Sequence, residues 1–478
     1  MRSQSLNLLL LSGPITAVWV TACVILLIGF GGVLSWVVVA MFAFFIYSSF
    51  MLWRTALKKR LAPLELMFWF YHTNFLFLPA LSQSFHRTFY WSTYDWYQPN
   101  AMLLTCGIIA IGLSSFEIGI GISQRRTRRE SYSITKDDFL SRPIEATWET
   151  QVVLFVIMAG LAFFVSMMGI TFFTSGRAAI VVESLVEFGI LMSLPRAAAA
   201  GVMLFSAFLF IKKIRCDKKF NVGVFMTLLA ALGLNAIINY PLSIPRFWFF
   251  GLIISLMWII SPLRSIKWRT AFIIGMTAMQ FTVFPWYSQV SREKGLIGYD
   301  MESIRLYLQH GDFDGFQSIV NSIIYINDRG FELGRNLISV GLFFVPRAVW
   351  ENKAQPLGMA ASDFMGYEYT SLSSSIYGEL FADFGWISLI LCMGIIGYAI
   401  RLFDNYYDIL TKKRWFGIGA LLISVLSGYL IILLRGSLLA VAASIIVLFS
   451  VLVISSCFAG RARHRNYIFK SLAQRQQP

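Results

Sequence analysis

The chain is 478 residues long, 57% hydrophobic and only 14% charged, with a mean hydropathy of +0.67 and a formal net charge of +15. That balance excludes a soluble cytosolic enzyme, in which charged residues make up about a quarter of the chain. A transmembrane barrel is excluded too, because its strands alternate polar and apolar over about ten residues whereas apolar runs here reach 18 or more; in lipid the remaining solution is an all-α bundle.

The first apolar stretch begins near Leu8 and has no small-residue cleavage site after it, so it reads as a retained helix. Apolar runs then predict about twelve spans, near 14–30, 33–53, 62–82, 100–123, 151–174, 197–211, 221–238, 247–262, 270–287, 378–400, 416–434 and 437–457. With the N-terminus inside, the inner loops are 54–60, 124–150, 212–219, 263–269 and 401–415; with both tails they hold 28 of the 40 Lys and Arg residues. Positive charge gathered on one side fixes orientation and contacts anionic membrane lipids. A nucleic-acid partner is therefore not needed to explain the +15.

Three segments depart from the span pattern. Residues 178–194 are apolar, but Glu183 and Glu187 share one helical face, which predicts an amphipathic helix at the outer interface. Leu337 to Val345 is too short to cross and reads as a helix packed into protein or dipping partway. Between them in character is a large external region, 289–377, in which Phe316, Ile319, Val320, Ile323 and Ile324 recur at helical spacing. The chain thus divides into nine spans (1–288), an external loop (289–377), and three spans with a basic tail (378–478). No internal repeat is visible, and the ionisable residues within spans are Glu65, placed at an inner interface, and Glu117, placed in an interior hydrogen bond. Cys23, Cys106, Cys216, Cys392 and Cys457 show neither a disulfide framework nor metal-ligand spacing.

Ten of the twelve external cations are arginine, against 17 of 28 inside. Guanidinium stays protonated and grips phosphate oxygens bidentately. Arg177, Arg246, Arg347 and Arg435 all fall at span mouths or beside the short apolar helix, at the height of a lipid diphosphate. Snorkelling towards ordinary phospholipid headgroups is the alternative at each position.

The segment Gly341 to Lys353, with Pro346, Arg347, Trp350 and then Pro356 and Gly358, resembles the signature in the large periplasmic loop of Wzy-type O-antigen polymerases. The run from Ser373 through Gly378, Glu379 and Asp383 to Gly385 resembles the next signature of that family. Two departures are Ala354 and Gln355 between Lys353 and the proline, and Phe188 where a glycine would follow Arg177.

The resemblance implies a GT-C-like glycosyltransferase of the bacterial inner membrane. It would join oligosaccharide repeat units carried on undecaprenyl diphosphate at the periplasmic face, without a cofactor or metal, alongside a chain-length-regulating co-polymerase. Arginines would stabilise the leaving diphosphate, in the order Arg347, Arg246, Arg177 and Arg435, with Lys353 beside them. A base would deprotonate the attacking hydroxyl. His310, Glu379 and Asp383 are the candidates, each with a structural alternative. Asp312 and Asp314 spell a metal-binding Asp-x-Asp element but read as structural or sugar-binding, and Trp350 is a candidate sugar platform. The external aromatics Phe85, Phe89, Tyr90, Trp91, Tyr94, Trp96 and Tyr97 fit an interfacial belt as well as sugar stacking. Two rival activities remain. An O-antigen ligase would need a functional histidine in the loop, and His310 stands too early for that. A flippase or transporter of the same lipid would need a polar path through the spans.

Overall fold

The computed structural model describes the chain except residues 1, 28–31, 92–97, 130–138, 175–184, 261, 292–306, 369–371, 414–416 and 476–478. Among the described residues the architecture is all-helical. In chain order come α1 (Arg2–Leu27), α2 (Trp36–Leu57), α3 (Pro63–Tyr71), a π-helical stretch His72–Phe77 and α4 (Leu78–His86). Then follow α5 (Pro99–Arg129), α6 (Trp148–Met168), α7 (Ile170–Thr174), α8 (Leu185–Lys212), α9 (Val222–Ile238), α10 (Arg246–Ile260) and α11 (Ile266–Ser291). The loop region folds as α12 (Gly315–Arg329), α13 (Arg335–Gly341), α14 (Leu357–Phe364) and α15 (Ile376–Phe384), before α16 (Trp386–Lys412), α17 (Ile418–Arg435) and α18 (Leu438–Arg475).

Among the described residues seven helices are long and apolar enough to cross a membrane, and Leu11–Ile25, Val222–Ile238 and Arg246–Ile260 are shorter apolar helices. The chain is a polytopic membrane protein by this measure. Helix α17 lies at the centre, with 72% of its apolar window buried, whereas 17% of the α6 window is buried and its remainder fits a lipid-facing position. The most extensive helix pairing is α5 against α16. Glycines permit it: a Cβ on Gly119 would collide with the Gly394 carbonyl, and one on Gly397 with that of Phe116.

The loops expected on the basic side do converge at one end of the bundle. Asp404 accepts from Leu64 N and Glu65 N at 2.9 Å each, supplying from α16 the cap that Ala62 cannot give to α3. Arg269 donates to the carbonyls of Ala56 (2.9 Å) and Lys58 (2.5 Å), and Lys212 donates to Ile144 O. Glu65, expected at the interface, is instead buried at this end, 2.6 Å from Lys58 and 3.5 Å from Arg401. Burial without partners would cost several kcal/mol, so the cations are what permit it. Glu117, expected in a hydrogen bond, leaves Oε1 without one.

Two boundaries differ from the sequence reading. Helix α8 runs unbroken through Pro195, where a separate amphipathic helix ending at 194 was expected; residues 175–184 lie outside the described part. The expected span at 378–400 is two helices, because Gly385 turns the chain at φ 62° between α15 and α16. That conformation favours glycine, and a Cβ there would also stand 3.2 Å from the Phe331 ring. Gly385→Ala is expected to cost about 1–3 kcal/mol, measured as a lower unfolding temperature of the purified protein. An unchanged unfolding temperature would mean that the turn is not held.

Candidate functional site

Opposite the basic end, two of the expected arginines meet the stretch 307–314. Arg246 is the first residue of α10 and Arg435 the last of α17. A single 3₁₀ turn, Gly311–Phe313, sets Asp312 and Asp314 against them. Arg246 lies 2.6 Å from Asp312 Oδ2 and donates at 2.9 Å to Asp312 Oδ1 and to the Tyr307 hydroxyl. Tyr307 in turn donates to Asp312 Oδ2 at 2.9 Å. Arg435 donates to Asp314 Oδ1 (3.0 Å) and Gly311 O (3.2 Å), with its guanidinium 4.4 Å from the Phe247 ring centroid. Ser373 donates to the same oxygen, Asp314 Oδ1, at 2.7 Å.

Burial works against charge on Asp312, but the His310 hydrogen bond and the Arg246 guanidinium prevail and hold its carboxyl below the usual carboxylate range. For Asp314 burial wins, and its pKa is raised although Arg435 opposes the rise. His310 contacts Asp312 at 3.4 Å and stacks between Tyr90 and Tyr307, with ring centroids at 4.7 and 5.5 Å. The Asp-x-Asp pair thus engages two different guanidiniums, and no group of three metal-ligating side chains gathers among the described residues.

Arg347 and Lys353 stand elsewhere, in a cleft of about 270 Å³ that also takes Arg335, Asn336, Glu332 and Glu351 into its wall. Arg347 donates to Lys353 O (2.9 Å) and Ala354 O (2.8 Å), two of its five N–H groups. The Lys353 ammonium donates to Phe343 O (2.7 Å) and Val345 O (2.8 Å). Trp350 is half-buried nearby and does not line the cleft. Three cations face two carboxylates here, leaving the cleft cationic.

Glu379 links the two groups. It is fully buried on α15, and Asn336 Nδ2, whose residue lines the cleft, donates to its Oε2 at 2.6 Å. On the other side, Ser374 and Ser437 adjoin Ser373 and Gly436 of the Arg435 cluster. Burial pushes the Glu379 pKa up to about 7, with Asn336, Ser437 and Ser374 opposing the rise. Its hydrogen-bond partners are thus neutral: Asn336, Ser374 and Ser437 hold the carboxyl with no cation among them. Asp383 is committed differently: it accepts from Asn336 N and Leu337 N at 3.1 Å each and caps α13.

The structure therefore brings together Arg246, Arg435, His310, Asp312 and Asp314, places Arg347 with Lys353, and joins the groups through Glu379. Arg177, Tyr94, Trp96 and Tyr97 lie outside the described residues. Sequence reasoning missed Tyr307, Asn336, Arg335 and Ser437. Arg435-Gly436-Ser437 was visible as a tight turn, but neutral polar residues carry no charge signal to single them out. No protein family matches the chain, and neither do any curated protein or solved structure, so the side chains alone carry the functional reading.

Proposed function

We propose that this chain is a polysaccharide polymerase of the bacterial inner membrane, with about twelve spans and a large periplasmic loop, acting on undecaprenyl-diphosphate-linked oligosaccharide repeat units. The observation that carries the proposal is Glu379, a buried carboxyl near pKa 7 whose partner Asn336 lines a cationic cleft. A hydroxyl of the acceptor repeat attacks the anomeric carbon of the donor. Its proton passes to Glu379, a new glycosidic C–O bond forms, and the bond to diphosphate breaks with the electron pair leaving on the phosphate oxygen. Arg347, with Lys353, receives the developing charge in the cleft, while Arg335 is paired with Glu332 at 2.5 Å. Arg246 and Arg435 hold Asp312 and Asp314, so their part is to brace the wall behind Glu379; Asp312 and Asp314 are then structural acids.

His310 favours this reading over the ligase, since it is stacked and bonded to Asp312 and is not a free loop base. In a strain lacking the chain, long surface glycan is expected to collapse to single-repeat material. The wild-type sequence should restore the ladder and Arg347→Ala should not, while lipid-linked repeats accumulate. Long chains at normal levels with Arg347→Ala would overturn the cleft as the diphosphate site. A purified protein that moves repeats across vesicles without lengthening them would overturn the enzyme reading itself.

A further inference from the structure

The cleft has a second side. The segment 331–349 turns Asn336 and Ser339 inwards, both buried, while Phe331, Leu333, Ile338, Leu342, Phe344 and Val349 are exposed. Leu333, Phe344 and Val349 are 71%, 66% and 78% exposed, far beyond what scattered surface apolar residues explain once six share one short stretch. This face is fastened to the membrane edge. Glu332 N donates to Ala382 O (2.8 Å) and Leu333 N to Asp383 O (2.9 Å), three residues before α16 begins. The Phe331 and Phe381 rings lie 5.8 Å apart, and Gly334 sits against Phe384. From there the exposed apolar surface continues onto Ile387, Leu391 and Ile395 of α16, a helix long enough to cross the membrane.

Non-helical backbone is tolerated in lipid only when its polar groups find partners in the protein. In this segment several do. Lys353 closes the carbonyls of Phe343 and Val345, and Arg347 those of Lys353 and Ala354. Leu342, Val345 and Val349 donate their own N–H groups to Ile338, Leu342 and Pro346.

We propose that residues 331–349 form a wedge seated in the lipid leaflet at this end of the bundle, with acyl chains covering Leu333, Ile338, Leu342, Phe344 and Val349. Arg335, Arg347 and Lys353 then stand at headgroup height, and the cleft opens sideways to phosphorylated lipid. Lipid contact is independent of sugar transfer, so this inference and the polymerase reading fail separately.

The test uses the purified full-length protein in phosphatidylethanolamine–phosphatidylglycerol vesicles carrying a carbene-forming probe on the acyl chain. Mass spectrometry reads the adducts. Peptides spanning 338–349 should be labelled to the same order as the 387–395 peptide of α16, and the buried 316–323 peptide should not. Labelled α16 with an unlabelled 338–349 would overturn the wedge and assign the face to a protein partner. The double variant Phe344→Glu with Val349→Glu should lower labelling of 338–349 several-fold while α16 labelling persists. Unchanged labelling in that folded variant would overturn the proposal too.

Discussion

Glu379→Gln is expected to abolish polymerisation, by about 10²- to 10⁴-fold in rate, the range that a general base supplies, while leaving the protein folded. Glutamine keeps the shape and can still accept from Asn336 Nδ2, but it cannot take the proton of an attacking hydroxyl. The wild-type rate should rise with pH through an apparent pKa near 7 and level off above it, because the working form is the carboxylate. Stability should move the other way. A carboxyl whose pKa is raised on folding contributes stability below its unfolded pKa, and that contribution is lost as pH rises through about 7. At pH 8 the wild type therefore carries a buried charge, held by neutral partners, that Glu379→Gln removes. The variant should unfold at an equal or higher temperature than wild type at pH 8, with the difference vanishing near pH 4. Reconstituted polymerisation of lipid-linked repeats and thermal unfolding at the two pH values check both halves. An active Glu379→Gln would remove the base, and a variant destabilised at pH 8 would show that the carboxylate is structural.

How much of this was legible in the sequence depended on which interaction carried the information. The helical membrane class was readable because hydrophobic runs are local and the solvent enforces them. The amphipathic stretch from Phe316 to Ile323 became α12 with those positions buried, since a 3.6-residue period is also local. The Gly385 turn was not readable. A lone glycine before an apolar run has many meanings, and only the docking of Phe331 and Phe384 around it gives it one. The π-helical stretch at His72 was hidden for the same reason: its stabilisation is tertiary, including the 2.7 Å contact of His72 Nε2 with the Tyr377 hydroxyl. Among the site residues, charge singled out Arg246, Arg435 and Arg347, but not their partners. The pairing of Arg435 with Asp314 spans 121 positions, and no spacing rule reaches that far. Asp312 and Asp314 read as structural or sugar-binding acids, and the 3₁₀ turn between them sends each to a different helix end, a pairing the spelling alone does not carry.

Arg435→Ala is expected to destabilise the folded protein by about 3–5 kcal/mol, because it strands a buried carboxylate. Asp314 has 4% of its side chain exposed, and without the guanidinium it keeps the Ser373 hydroxyl and a backbone N–H but no cation bonded to it. Its pKa, already raised by burial, should climb further, so the damage should be smaller at pH 5 than at pH 8. Asp314→Asn in the same chain removes the charge that made Arg435 necessary. The pair Arg435→Met with Asp314→Asn should recover most of the lost stability, since neutral replacement of a buried ion pair is often tolerated. Polymerisation then separates two roles for this arginine. A brace predicts that the double variant lengthens glycan at close to the wild-type rate, because Glu379 and the Arg347 cleft keep their positions. A direct diphosphate ligand predicts a folded double variant with no long chains. The geometry favours the brace: one terminal nitrogen of Arg435 already serves both Gly311 O and Asp314, and Nε is buried with no oxygen to meet it. Arg347 and Lys353 line the cationic cleft instead, and on the proposed mechanism the leaving group's charge would fall to them.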